Sequence, residues 1–571
     1  MYKKRSNTSK KASTSRGSKS RGKASNVSSC QSIDHRRITD SDENTSDSSV
    51  IVPVVNSARR LIIRDSDEEE NPRPEVSLEG NWQESDNTPT IWEYSEACGV
   101  KGYVLDRLGT NDGLLDLFLI IFNENLWDIV VTETNRYAEQ IMSNGRRRKQ
   151  DDGWFPVTKD EILAYYALCI LMAQIKKPNI QMHWSKREVI ETPIFTKVMP
   201  LKRFTQISRC LHFSNNLTDC NNDRLHKIRP IINYWNDKFN NIYTPDKNIS
   251  IDESLMRYKG RLMYKQFNPS KRARFGIKIY KLCKASTGFC SKFKIYTGQD
   301  KIDLIDISSE GVVTELAESV LNKGYTLYID NWYSSPALFL KLHKQKTNVI
   351  GTVRNNRKNM PKDLSTSKLK PGEHLCRTCN GILAVRWKDK RDVYVLTKKH
   401  ASVEMTEATD KRDRTKFKPN CVIDYNKGMG AIDLNDQMLA CFPIMRKYIK
   451  GYKKLFFYMT DMGLYNTYVI KKQLQDPRRQ SYVNYRIDIA EAILKYVQLP
   501  DYTRRGKSAE IQTTMRLQAQ YWAHFPKHID ATPSKEHPTR ICKEAGVNRR
   551  VCEYVEPKTA DRDSQTLLCP T

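Results

Sequence analysis

The chain has 571 residues, 39% of them hydrophobic, and a formal net charge of +29, a length that suggests roughly three or four folding units of about 150 residues. Residues 1–95 hold fifteen Lys/Arg and fifteen Asp/Glu, so the positive excess sits on the core-forming remainder, as expected of a body that binds a phosphate backbone. The most apolar run, 114–122, is short and broken by Asp116, so no long apolar span supports an integral membrane reading.

The N-terminal MYKKRSNTSKK has no apolar core, so no secretory leader is expected, and fourteen spread cysteines then read as reduced thiols rather than a disulfide framework. Residues 1 to about 90 are polar, charged and nearly free of aromatics; they are expected to be disordered, because too little apolar surface is present to offset chain entropy. Lys3 to Lys23 holds nine basic residues and no acid; the block suits a nuclear-import address, a nonspecific nucleic-acid arm or plain solvated charge.

Order is expected from Trp92. Segments 109–127, 130–140, 162–172 (behind the capping box Thr158 to Glu161), 201–213 and 228–243 read as helices. The pattern then changes. Residues 249–256, 276–284 and 289–296 alternate as strands, 306–322 is helical, 325–329 is a continuous β run of the kind a buried strand shows, 336–345 is helical and 347–353 is a strand. Strands followed by alternating α and β predict an α/β fold, a mixed sheet with helices on its faces. Residues 357–420 are basic and polar, with a hairpin of 382–387 against 392–397, and read as an insertion into that sheet domain. Beyond it, 445–473, apolar on one side and basic on the other, and 485–497 are helical.

The stretch 421–438, CVIDYNKGMGAIDLNDQM, organises the chemistry. After the apolar Cys421 to Ile423, Gly428 and Gly430 permit a sharp turn through φ values most residues avoid. Asp433 and Asp436 then fall i, i+3 on one face near the N-terminus of a helix starting at Ala431. Two carboxylates so held suit half of a divalent-metal site; read alone, such a pair is more often a first-turn acid and a solvated one. Asp252 lies in the first strand and Asp330 directly follows the buried strand. An acid there is costly unless it is paired, metal-bound or at a sheet edge, although Asp330 also suits a helix cap. Acids on a first strand, after a neighbouring strand and on a later helix form the arrangement of an RNase H-like nuclease.

Arg257, Lys259, Arg261, Lys271, Arg272 and Arg274, with Tyr258, Tyr264 and Phe267 interleaved, suit a DNA strand path beside Asp252, or a solvated strand edge. Lys447, Lys450, Lys453 and Lys454 mark one helix face and are expected to meet phosphates. His183 and His212 read as packed core histidines. Cys376 and Cys379 form a single CxxC near His374, short of the four ligands of a closed zinc site.

From Trp92 to Gln473 the sequence resembles the piggyBac family of DDE/DDD transposases and transposase-derived proteins. The motifs that carry this run in order: ETNRYA at 133–138, HWS at 183–185, ETP at 191–193, RCLHF at 209–213, DRLHKIRP at 223–230, SIDE at 250–253, RYKGR at 257–261, FGIK at 275–278, YIDNWY at 328–333, GTVR at 351–354 and DLNDQ at 433–437. The resemblance implies an RNase H-like catalytic domain (247–356 and 421–442) interrupted by an insertion domain (357–420), and a helical dimerisation and DNA-binding domain (92–246 and 443–535), flanked by a disordered tail (1–91) and a cysteine-containing tail (536–571). It places the catalytic aspartates on Asp252, Asp330 and Asp433, with Asp436 as fourth acid orienting or completing the site. The resemblance implies that the first three would hold two Mg²⁺ or Mn²⁺ ions, with Asp252 shared between them, one ion serving to activate a water or a DNA 3′-OH and the other to stabilise the leaving oxygen. Implied with it are cutting of transposon ends through hairpin intermediates, joining at TTAA, double-stranded DNA and a second copy of the chain as partners, and the nucleus as location. The sequence departs from the family at its end, where only Cys542, Cys552 and Cys569 stand in place of several CxxC pairs, so no complete structural zinc site is expected. Four intact acids favour a transposase; the altered tail keeps open a domesticated DNA-binding or chromatin protein.

Overall fold

The structure, a computed structural model, describes residues 81–502 apart from 85–86, 110–112, 146–147, 219–222, 270–273, 299–307, 410–414, 445–449 and 476–479; beyond 502 it describes only Pro533, Arg540, Ile541, Asn548 and Arg549. The basic block at 3–23, Lys271, Arg272, Lys447 and the cysteines at 542, 552 and 569 therefore lie outside the described residues.

The strands of the main sheet are β1 (Asn248–Arg257), β2 (Lys265–Phe267), β3 (Phe275–Lys284), β4 (Cys290–Ile295), β5 (Thr326–Ile329), β6 (Asn348–Thr352), β7 (His374–Cys379), β8 (Ile382–Lys388) and β9 (Asp392–Thr397). Across the sheet they run β2-β3-β1-β5-β6-β9-β8-β7, with β4 also paired to β3. The pairs β1–β5 and β5–β6 are parallel and the others antiparallel. The mixed α/β sheet expected from the sequence is thus present. The hairpin β8–β9 expected inside a separate insertion instead extends this sheet, since β9 pairs along β6 with Thr352 opposite Val395.

Strand alternation decides the two faces. Ile249 and Ile251 of β1 join Leu327, Ile329 and Val349 in a core that includes residues of the helices Ser309–Ala317 and Pro336–Lys344. Ser250, Asp252 and Ser254 point the other way, toward the remaining helices. Those used below are α1 (Glu124–Ser143), α2 (Lys159–Gln174), α3 (Leu201–Cys210), α4 (Arg229–Ile242), α5 (Asn420–Gly428), α6 (Ala431–Cys441), α7 (Gly451–Leu474) and α8 (Tyr482–Tyr496). Segments before and after the sheet share one hydrophobic core: Trp127 of α1, Tyr166 of α2 and Trp235 of α4 pack with Phe457 of α7 and Tyr485 of α8. The sequence suggests a two-sided α7, but every residue from Leu455 to Ile470 is buried. A helix covered all round is a core axis rather than a surface element.

Order begins earlier than Trp92. The Trp82 indole donates to the Asn359 carbonyl (3.0 Å), Gln83 bridges to Thr378, and buried Asn87 donates to the Gly381 and His400 carbonyls. Asn348 clamps Trp92 through both its backbone groups. The strap passes so close to Gly324 (φ +74°) that a Cβ there would lie 1.8 Å from the Glu93 carbonyl oxygen. Polar composition masked these residues, whose partners lie far away in sequence.

His183 and His212 are buried, as expected. Burial, reinforced by the nearby Lys227, Lys453 and Lys450, pushes the His212 imidazole down to about 3, against a hydrogen bond from its Nε2 to Asn216 Oδ1 that favours its charge. His212 therefore stays neutral in the fold while the unfolded chain binds a proton below its usual 6.5. Its contribution to stability is complete above 6.5 and is lost as pH falls toward 3, about 2 kcal/mol of it by pH 5. Unfolding titrations at pH 5 and 7.5 should show that loss in the native chain and a smaller one in His212→Gln; equal pH slopes would rule it out.

Candidate active site

Register carries the geometry. Ile251 of β1 pairs with Ile329 of β5, and Ile329 with Gly351 of β6. The next residues, Asp252, Asp330 and Thr352, therefore lie side by side on neighbouring strands about 4.8 Å apart, on the face opposite the aliphatic core. Lys281 of β3 is the antiparallel partner of Asp252, so one row crosses the sheet: Lys281, Asp252, Asp330, Thr352. The Thr352 hydroxyl donates to Asp330 Oδ1 (3.0 Å) and the Glu253 backbone N–H to Asp252 Oδ1 (2.7 Å).

The helices α5 and α6 cover this row. The Tyr425 hydroxyl of α5 is 3.2 Å from Thr352 Oγ1; because Thr352 spends its proton on Asp330, Tyr425 donates to Thr352. Burial raises the Tyr425 hydroxyl far above its ordinary range against that hydrogen bond, and the carboxylates of Asp330 and Asp252 raise it further. Tyr333 is pushed the same way, by burial first and then by Glu253, Asp252 and Asp330. The two phenols sit in different cores, Tyr333 with the aliphatic face of the sheet and Tyr425 with the opposite one.

The apolar run at 421–423 begins helix α5 rather than a strand, and the following turn does not use positive φ: Gly430 has φ −75°. Gly428 is required for a different reason. A Cβ on it would lie 2.4 Å from the Tyr328 ring, so glycine lets the end of α5 rest on β5. Asp433 is exposed in the first turn of α6, where the helix dipole favours an acid. Asp436, one turn on, faces the sheet and pairs with the fully buried Lys281. Burial opposes the Lys281 charge, but Tyr458 and Asp436 outweigh it and hold the ammonium above its usual range. Among the described residues, no three His, Cys, Asp or Glu side chains converge as a metal cluster. Asp252 and Asp330 nonetheless fit a hard divalent cation as adjacent oxygen donors, and Asp433 is the exposed acid on a covering helix.

Of the basic residues singled out from the sequence, Arg257, Lys259, Arg261, Arg274 and Lys450 are exposed. Lys454 is half-buried with its ammonium 5.6 Å from the Tyr258 ring centre. Burial, with Arg257 adding to it, lowers Lys454 to about 8. Lys453 departs from the expected basic face: it is buried and donates to the Ser208 and Arg209 carbonyls (2.7 and 2.8 Å), closing the C-terminal end of α3. Cys376 and Cys379 lie three apart on β7 and so on opposite faces, a poor chelating pair. Sequence reasoning missed Lys281, Thr352, Tyr425, Ser254 and Tyr458. Only Lys281 left a signal, a lysine in phase with Ile277, Ile279 and Cys283.

A mixed sheet with Asp252 on one strand and Asp330 just past the end of its parallel neighbour, beneath acid-bearing helices, gives an α/β protein whose fold is that of a solved DNA transposase. A solved structure described as the cryo-EM structure of the piggyBac transposase synaptic complex with hairpin DNA matches with TM-score 0.61 and 22% identity, over 72% of this chain and 86% of that one. The family model described as Transposase IS4 matches residues 115–468, and the chain belongs to that family, in its piggyBac branch. PiggyBac transposable element-derived protein 2 of Homo sapiens is 25% identical over 382 residues, covering 62% of this chain and 61% of that protein. PiggyBac transposable element-derived protein 3 of the same organism is 24% identical over 374 residues, covering 63% and 60%. The chain spans about three fifths of the length of these curated relatives. No described helix is long and apolar enough to cross a membrane.

Proposed function

We propose that the chain is a DDD-type DNA transposase that cleaves DNA strands at transposon ends and transfers them to TTAA targets, acting in the nucleus as a homodimer. The observation that carries this reading is the placement of Asp252 on β1 beside Asp330 at the end of the parallel strand β5, with Asp433 on the covering helix α6. The strand order β4-β3-β1-β5-β6, with β1 central and β5 and β6 parallel to it, supports an RNase H-like catalytic domain. The helical segments before and after it would form the dimerisation and DNA-binding domain.

Asp252, Asp330 and Asp433 would hold two Mg²⁺ or Mn²⁺ ions. When bound, such ions supply Lewis acidity to the attacking and leaving oxygens of an in-line displacement. The protein's own part is positioning. Thr352 and Tyr425 fix the Asp330 carboxylate through successive hydrogen bonds, and the Glu253 N–H fixes that of Asp252. The exposed Arg257, Lys259, Arg261 and Arg274, which continue from β1 past Asp252, bind phosphates and set the strand's register. The test is excision from a plasmid carrying the chain's genomic flanks, with and without Mg²⁺ or Mn²⁺. Metal-dependent double-strand release at TTAA is expected. DNA binding with no metal-dependent cleavage product in any such assay overturns the enzymatic reading in favour of a domesticated DNA-binding protein.

Lys454 gives this surface a pH dependence. Its ammonium, near 8 in the free protein, is favoured by a DNA phosphate, so binding takes up a proton and affinity falls as pH rises through that value. Between pH 7.5 and 9.5 at fixed salt the loss should be on the order of tenfold. Fluorescence anisotropy on duplex DNA should show the slope in the native chain and not in Lys454→Met; identical slopes would remove Lys454 from the interface.

A further inference from the structure

Lys281 is a buried cation that the proposed chemistry leaves unused. It lies on β3 among side chains that belong to the apolar core between sheet and helices, and its side chain is 0% exposed. An ammonium in such a place survives only with a counter-charge and full hydrogen bonding. Lys281 Nζ donates to Asp436 Oδ1 (2.7 Å) and Asn435 Oδ1 (2.8 Å), and lies 5.1 Å from the Tyr458 ring centre. Asp436 Oδ1 also accepts from Ser254 Oγ at 2.7 Å, and the Tyr458 hydroxyl lies 3.5 Å away. Asn435 continues the network by donating to the Gly288 carbonyl (2.9 Å). Groups from β1, β3 and α7 thus converge on one carboxylate oxygen of α6. That oxygen's acceptor capacity is taken up, and the adjacent ammonium offsets the charge that would attract a dication.

We infer that Lys281 and Asp436 form a charge strut that seats α6 on the sheet, which makes Asp436 a positioning residue for Asp433 rather than a ligand of the metal site. The strut fixes α6 one turn beyond Asp433, and Asn435 pins the turn between the two acids. Asp433, exposed and in the first turn, takes its placement from that seating. The inference rests on the reading that Asp252 and Asp330 bind divalent metal, and it assigns the fourth acid of that site a different task.

The test pairs thermal unfolding with Mn²⁺ binding, followed by EPR of free Mn²⁺, on the full chain. Lys281→Met leaves the Asp436 carboxylate without its buried partner and should lower Tm and weaken Mn²⁺ binding about tenfold through a displaced Asp433. Adding Asp436→Leu replaces the pair with apolar volume and should restore both quantities, Mn²⁺ affinity to within threefold of wild type, which no loss of a metal ligand permits. Asp436→Asn keeps an acceptor for Ser254 but leaves the fully buried ammonium without its counter-charge, so it should lower Tm and weaken Mn²⁺ binding as Lys281→Met does. Asp252→Asn should lose at least tenfold. If Asp436→Asn retains wild-type Tm and loses Mn²⁺ as Asp252→Asn does, Asp436 is a ligand and the strut is wrong. A Lys281→Met chain as stable as wild type overturns it as well. Should Asp252→Asn bind Mn²⁺ normally, the metal reading fails, while recovery of Tm in the double variant still decides the strut.

Discussion

Asp252→Asn and Asp330→Asn should each reduce metal-dependent strand cleavage on the order of 10³-fold or more, with duplex DNA affinity unchanged within about threefold. Asparagine keeps the volume of each side chain and an oxygen able to accept from Thr352 or from the Glu253 N–H, so the sheet has no reason to rearrange. What disappears is one of two like charges on adjacent strands. That repulsion is a standing cost in the free protein, and its removal should stabilise the fold by about 0.2–1 kcal/mol. Gain of stability with loss of activity separates a carboxylate kept for chemistry from one kept for structure. Asp433→Asn should lose cleavage to the same degree with little change in Tm, because Asp433 is exposed. Assays on supercoiled plasmid with Mn²⁺ and on short duplexes by anisotropy separate cutting from binding. Undiminished cutting by any of the three variants removes that residue from the site.

The sheet was legible because its strands obey a period of two. The alternation of β1 and β3 and the continuous apolar β5 place Asp252 on a strand and Asp330 directly after one, in one sheet, before any contact is known. Their adjacency follows from register, which the sequence does not spell out. Family membership was legible from motifs in order, and the family match at 115–468 bears it out. Other features were hidden for physical reasons. Trp82, Asn87 and Trp92 of the strap are held by hydrogen bonds to residues more than 200 positions away, which local composition does not report. The lysines of α7 read as a basic face because their i, i+3 and i+4 spacing is that of a surface stripe, yet Lys453 turns inward onto the orphan carbonyls of α3, a common task for a lysine at a helix C-terminus. Gly428 reads as a turn residue because glycine permits unusual φ; its actual constraint is the face of Tyr328, visible only once α5 is laid on the sheet. Edgewise addition of β7 to β9 onto β6 was unreadable for the same reason, since a hairpin looks alike whether it stands alone or extends a larger sheet.

Arg203→Met should lower stability by about 3–5 kcal/mol, because it strands a buried carboxylate. Glu161 is the third residue of α2 and is fully buried; its side chain closes the capping box of that helix with Thr158. Arg203 of α3 meets it in a bidentate fork, Nε to Oε1 at 2.9 Å and Nη2 to Oε2 at 2.7 Å, the strongest arrangement such a pair adopts. The remaining guanidinium hydrogens reach the Phe155 and Pro156 carbonyls, and the Phe155 ring centre lies 3.5 Å from the guanidinium carbon. Tyr502, beyond α8, donates to Glu161 Oε1 (3.1 Å). One ion pair therefore ties together α2, α3, the loop between α1 and α2, and the segment that follows α8. Truncating the arginine removes the counter-charge, the donors to two carbonyls and the ring contact at once. Arg203→Lys should fall between wild type and Met, since an ammonium offers one charge without the fork. Glu161→Leu with Arg203→Met should recover most of the loss, because no buried charge is then left unpaired. The measurement is thermal unfolding of the four chains, with a Tm drop of about 5 °C expected for Arg203→Met. A drop of about a degree or less would show that water reaches Glu161 when the arginine is gone, and that the helices before and after the sheet hold together without the pair.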